Sequence, residues 1–263
     1  MYKNNNLEYL VGSSNSYKGC NPSPIYMARQ SFAYSPEHTN LGSPIAEQLY
    51  QKVRDSTVPY SKMPEYERLY AISHHFKPTS FLNKNRPISN FVVDKDEIMG
   101  FVKDTFWHMM GKMLPEDLYI SILSHFDFKI AHSMFGRWQE GIVGFSINGK
   151  EKKIFIRQND LDQILLVIGH EIGHIVSDTL SNPHDEEAKA FSFSIEWART
   201  IKKHNIANLA GSIKDDIEFS PARNGLHDVA LEFVNLMTKK GRSAMDLHKD
   251  LARRYLSIFG TYF

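Results

Sequence analysis

Residues 165–178 read LLVIGHEIGHIVSD, with His170 and His174 four positions apart around Glu171 inside an apolar run. On a helix, positions i and i+4 lie one above the other, so this spacing presents two imidazoles on one face with a carboxylate beside them. Burying three such groups in so apolar a stretch is costly unless they have partners, and coordination to a metal supplies them. The competing reading is a helix whose histidines are merely hydrogen-bonded. Gly169 and Gly173 each weaken a helix by about 1 kcal/mol, which is understandable if another element or a substrate packs closely there. The predicted chemistry is hydrolytic: zinc lowers the pKa of a bound water toward ~7, and Glu171 takes its proton as the hydroxide attacks a peptide carbonyl. A purely structural zinc site would not need Glu171.

A catalytic zinc needs a third protein ligand and an open position. A third histidine six residues after His174 would make the metzincin arrangement, but that position is Leu180. Cys20, the single cysteine, lacks the glycine-cysteine-leucine setting of the peptide deformylase ligand. The carboxylates Asp185, Glu186 and Glu187 remain, at the start of HDEEAKAFSFSIEWARTIKKH, residues 184–204.

The series of strand, capped helix with HEIGH, tight turn and a helix opening EEAKAF resembles the ImmA/IrrE-type metallopeptidases over about residues 128–201. The resemblance implies a zincin-like core with a small sheet beside the active-site helix, Zn2+ as cofactor, and Glu187, the glutamate directly before alanine, as third ligand. It also implies an intracellular regulatory protease that cuts one protein partner. Two other functions compete with this. One is a zinc-protease effector or toxin that leaves by a non-classical route, encouraged by the Asn/Ser-rich leader. The other, of a different class, is a catalytically inactive, metal-stabilised binding module.

Helical phase also selects Glu187. At ~100° per residue, Ala190, Phe191, Ile195, Trp197, Ala198 and Ile201 share one apolar face, with Lys189, Ser192, Glu196, Arg199 and Lys203 opposite. Glu187 points into the middle of the apolar face, Glu186 lies at its edge and Asp185 falls on the polar side. An ionised carboxylate aimed into a core calls for a positive partner, and a metal on the neighbouring helix would be one. Replacement of Glu186 by alanine is therefore expected to be nearly neutral. Three further residues are candidates for substrate binding or for orienting ligands. Asp178, one turn beyond His174, could accept from its ring. His184 stands in the turn before the acidic cluster, and His227 near the start of a C-terminal helix could polarise a carbonyl.

The 263-residue chain is long enough for a core without disulfides, and one cysteine excludes an internal bridge. A formal charge of +1 leaves no global field for nucleic acid or an anionic membrane, so the expected partner is a protein or peptide. MYKNNNLEYLVGSSNS has no basic region followed by an apolar core, and a cytoplasmic location is expected. The oligomeric state is left open. The expected fold is α+β, mainly helical, with a small antiparallel sheet beside the HExxH helix. Residues 1–40 read as an irregular leader, 41–126 as a helical N-terminal region and 127–263 as the zincin-like core with C-terminal helices. Within these, GSPIAEQLYQKV, PEYERLYAISHHF, DKDEIMGFVKDTFWHMMGKM and PEDLYISILSHF read as helices. FKIAHS, GIVGFSI and KKIFIRQ read as strands, the last two joined by a two-residue Asn148-Gly149 turn. Asp160 with Gln163 reads as a capping box for the HExxH helix.

Overall fold

The computed structural model describes residues 76–133, 138–149, 151–217 and 225–260. The expected leader, Cys20, the helix of GSPIAEQLYQKV and all but the last residue of PEYERLYAISHHF lie outside the described residues.

The architecture is α+β and mainly helical. Its helices are α1 (Met99–Met110), α2 (His125–Ser133), α3 (Leu161–Ile175), α4 (Pro183–His204), α5 (Leu226–Lys239) and α6 (Ala244–Ala252). The strands are β1 (Phe91–Val92), β2 (Leu118–Leu123), β3 (Gly144–Asn148), β4 (Lys152–Arg157) and β5 (Asn159–Asp160). None of the described helices is long and apolar enough to cross a membrane.

The main sheet has the order β2-β4-β3 and is mixed: β3 runs antiparallel to β4, while β2 runs parallel to it. An all-antiparallel sheet is corrected by this strand, which comes from the segment read as the helix PEDLYISILSHF. Leu118, Ile120 and Ile122 are buried and Tyr119 is exposed between them, the two-residue period of a strand. FKIAHS, read as a strand, lies in α2 instead. Ser124 starts that helix by accepting from the Asp127 amide at 3.2 Å, and Phe128 and Ala131, three residues apart, face inward. The connection between Asn148 and Lys152 spans residues 149–151, one longer than the turn expected.

β4 divides the core by alternation. Ile154 and Ile156 join the principal cluster with α3, and Phe155 joins Leu123, Phe128, Ala131 and Ile142 under α2. The sheet thus lies between α2 and α3, and β3 is its edge beside α3.

α3 and α4 are the central pair. A β-carbon on Gly169 would meet Trp197 Cδ1 at 2.4 Å, and one on Gly173 would meet Ala190 Cα at 2.9 Å. Both glycines therefore exist for close approach, as the sequence implied, and the Trp197 indole spans the gap to donate to the Leu165 carbonyl at 2.9 Å. α4 starts at Asn182, whose side chain accepts from the His184 amide at 2.9 Å, with Pro183 in the first turn. The capping box expected on α3 does not form. Asp160 belongs to β5 and pairs with Phe91, and its side chain takes no helix amide. The helix start is held instead by the buried Asp162, which pairs with Arg86.

The face of α4 read as polar is exposed at Arg199 and Lys203 but covered over its first half. α6 packs against it and the segment after α6 follows, so Lys189 and Ser192 are buried along with Glu186 and Asp185. Asp185 accepts from the Ser257 hydroxyl at 2.8 Å and the Ile258 amide at 2.7 Å.

Candidate metal centre

His170 and His174 occupy successive turns of α3 with ring centroids 4.8 Å apart, and α4 brings Glu187 against both. His170 Nε2 lies 3.5 Å from Glu187 Oε2, and His174 Nε2 lies 3.8 Å from Glu187 Oε1. His227, from the first turn of α5, reaches the same carboxylate: its Nε2 is 3.2 Å from Glu187 Oε2. One ligand atom each from His170, Glu187 and His227 lie within 4.8 Å of one another. Despite these neighbours, Glu187 Oε2 is buried and makes no hydrogen bond. Such an atom needs an explanation, and a cation shared with the imidazoles is one that suits it.

The far side of each α3 ring is fixed. Ser194 donates its hydroxyl proton to the Ala190 carbonyl at 2.8 Å, so its oxygen accepts from His170 Nδ1 at 3.1 Å. The His170 proton therefore sits on Nδ1, leaving the Nε2 lone pair directed at Glu187. Burial, assisted by the nearby His174, holds His170 well below its ordinary pKa and keeps it neutral. The Phe76 ring stacks on it at 4.2 Å.

His174 Nδ1 lies 3.0 Å from Glu186 Oε1, which likewise turns Nε2 toward Glu187. Glu186 Oε2 accepts from the Leu180 amide at 2.7 Å and from Lys189 Nζ at 2.9 Å. Lys189 Nζ also reaches the carbonyls of His174 at 3.2 Å and Asp178 at 2.9 Å, tying the end of α3 to α4. Burial opposes charge on His174, but the carboxylates of Glu187, Glu186 and Glu171 outweigh it and lift the imidazole to about 9.

Glu171 is buried under β3. A β-carbon on Gly144 would stand 3.1 Å from its Oε1. Burial lifts its pKa to about 7, against the pull of His174 and a hydrogen bond donated by Ser146, with Glu187 adding a small push upward. A carboxyl poised near neutrality can accept and return a proton at ordinary pH.

The structure brings His170, Glu171, His174, Glu187 and His227 together and leaves two candidates aside. Asp178 does not orient His174; Glu186 holds that position, and Asp178 offers its main-chain carbonyl to Lys189. His184 turns its ring toward Phe259 at 5.3 Å, and burial pushes its pKa down to about 4 against the pull of Glu187. Sequence reasoning missed Ser194, Ser146, Lys189 and the part played by Glu186. Ser194 had a signal: it lies two turns beyond Glu187 on the same face of α4. No family model, curated protein or solved structure matches the chain.

Proposed function

We propose that this protein is a zinc-dependent metallopeptidase that hydrolyses a peptide bond in a protein partner. The observation that carries the reading is the convergence of the His170 and His174 Nε2 atoms on Glu187, whose buried Oε2 makes no hydrogen bond. Those three residues would hold Zn2+. Their donor set, two neutral imidazoles and a carboxylate, is one that zinc prefers in catalytic sites. Bound there, zinc would supply a water of lowered pKa and a Lewis acid for the scissile carbonyl.

The chain's own groups do the rest. Glu171 accepts the proton of the attacking water on its carboxylate and returns it to the departing amine nitrogen, and the Ser146 hydroxyl holds it in place. Ser194 and Glu186 keep each histidine proton on Nδ1, away from the reaction. β3, the edge strand over Glu171, offers backbone groups to an extended peptide.

A second reading, a metal-stabilised binding module without turnover, draws support from His227, which crowds the same carboxylate. One experiment separates the two. A proteome-derived peptide library is digested with zinc-loaded wild type, with His227→Ala and with Glu171→Gln, and new termini are mapped by mass spectrometry. Cleavage by either of the first two but not by the Gln variant supports the peptidase. Cleavage by neither the zinc-loaded wild type nor its His227→Ala variant, or a Gln variant that cuts equally well, removes it.

A further inference from the structure

We propose that His227 is a fourth protein ligand, so that the resting metal site is closed and opens only when the first turn of α5 gives way. This rests on the metal reading above and deepens it into a form of regulation.

The argument starts with ligand spacing. Four ligands at 2.0–2.1 Å from a tetrahedral zinc stand about 3.3 Å from each other. The separations around Glu187 are 3.5 Å to His170, 3.8 Å to His174 and 3.2 Å to His227. Each imidazole thus stands near the ligand-to-ligand distance from a Glu187 oxygen, His170 and His227 from Oε2 and His174 from Oε1, and His227 is the nearest of the three. Simple ion pairing of His227 with Glu187 would be expected to include a hydrogen bond, yet Glu187 Oε2 accepts none at 3.2 Å. A cation shared by the two groups accounts for that gap.

Three imidazoles and one carboxylate fill the coordination number that zinc prefers, which leaves no position for water. One ligand must then leave before hydrolysis. His227 is the candidate by position. Its side chain is 21% exposed, against 12% for His174 and 2% for His170 and Glu187. It is also the only one of the four outside α3 and α4, whose contact is locked by Trp197 and Lys189. The residue before α5, Gly225, has no side chain with which to cap that first turn. A peptide or partner that competes for the metal, or displaces α5, would open the site.

The test uses the full chain, wild type and His227→Ala, loaded with Zn2+ or Co2+. Imidazoles are counted by zinc K-edge absorption fine structure, and an open position is sought by titrating azide into the cobalt proteins while following the visible spectrum. The expected result is one metal per chain in both, with three imidazoles and no azide response in the wild type. His227→Ala should lose one imidazole, respond to azide and bind metal at least tenfold more weakly. Two imidazoles and an azide response in the wild type overturn the proposal, and that measurement stands even if the variant does not fold. Failure of the metal reading looks different: wild type that takes up neither ion, which overturns both.

Discussion

His174 Nδ1 and Glu186 Oε1 stand 3.0 Å apart, inside a carboxylate network whose other anchor is a fully buried lysine. Adjacent acids on one helix have thereby taken different work. Glu187 faces the imidazole Nε2 atoms, and Glu186 fixes the ring of His174 from behind.

Glu187→Ala should abolish stoichiometric zinc loading. Glu186→Ala, expected from phase alone to be nearly neutral, should weaken zinc binding by roughly 10–100-fold. It should also destabilise the fold by about 3–5 kcal/mol, because the Lys189 ammonium is left buried without its partner. Metal titration and urea denaturation check both; a Glu186→Ala protein equal to wild type in each would refute the role given to Glu186.

Glu171→Gln should fold, keep its metal and lose peptide hydrolysis by about 10²–10⁴-fold, since an amide cannot accept the proton. Elemental analysis and the library digest read the two halves separately. Loss of metal along with activity would mean that Glu171 acts as a ligand.

Gly169→Ala reverses an ordinary expectation. Alanine favours an exposed helix over glycine by about 1 kcal/mol. Here the added carbon would meet the Trp197 ring at 2.4 Å, so the substitution should destabilise the protein by about 1–3 kcal/mol, read as a lower urea midpoint. A variant more stable than wild type would show that α3 and α4 do not pack this closely.

His248 makes stability depend on acid. It is buried, its Nδ1 lies 3.1 Å from the Lys189 carbonyl, and burial pushes its pKa from 6.5 down to about 4. Between these values the unfolded chain binds a proton that the fold does not, so stability is full above pH 6.5 and is lost as pH falls toward 4. Asp185 works in the opposite sense, since burial lifts it from 3.8 to about 6 and favours the fold at the acid end. His248→Asn, which keeps a donor for the Lys189 carbonyl, should flatten the slope between pH 4.5 and 6 by up to about 1.4 kcal/mol per unit. Urea midpoints across that range decide it; an unchanged slope places the acid sensitivity elsewhere.

What the sequence disclosed follows from how local each signal is. His170, Glu171 and His174 lie within five residues of one helix, and Glu187 follows from phase and the short link to α4, so their grouping could be read before any fold was known. His227 arrives from a helix forty residues later, and no periodicity forecasts which turn of which helix will meet Glu187. Phase places Lys189 opposite the apolar face without saying what covers it; α6 does. LYISIL failed for another reason: in so short an apolar run, two-residue alternation and a helical stripe are hard to tell apart. Pairing with β4 decided it.

That pairing bears on how the protein can be divided. β2 lies before residue 127, where the sequence seemed to break, yet it is in register with β4 from Leu118 opposite Lys152 to Leu123 opposite Arg157. A protein shortened to begin at Phe128 would carry the HExxH helix and every residue of the proposed metal site, but β4 would lose one neighbour along its whole length. Its Ile154, Phe155 and Ile156 would then border an open row of amides and carbonyls, a template for strands of other molecules. The minimal fragment that the motif invites one to make should therefore self-associate through its sheet, and a truncation that stays monomeric has to begin upstream of Leu118.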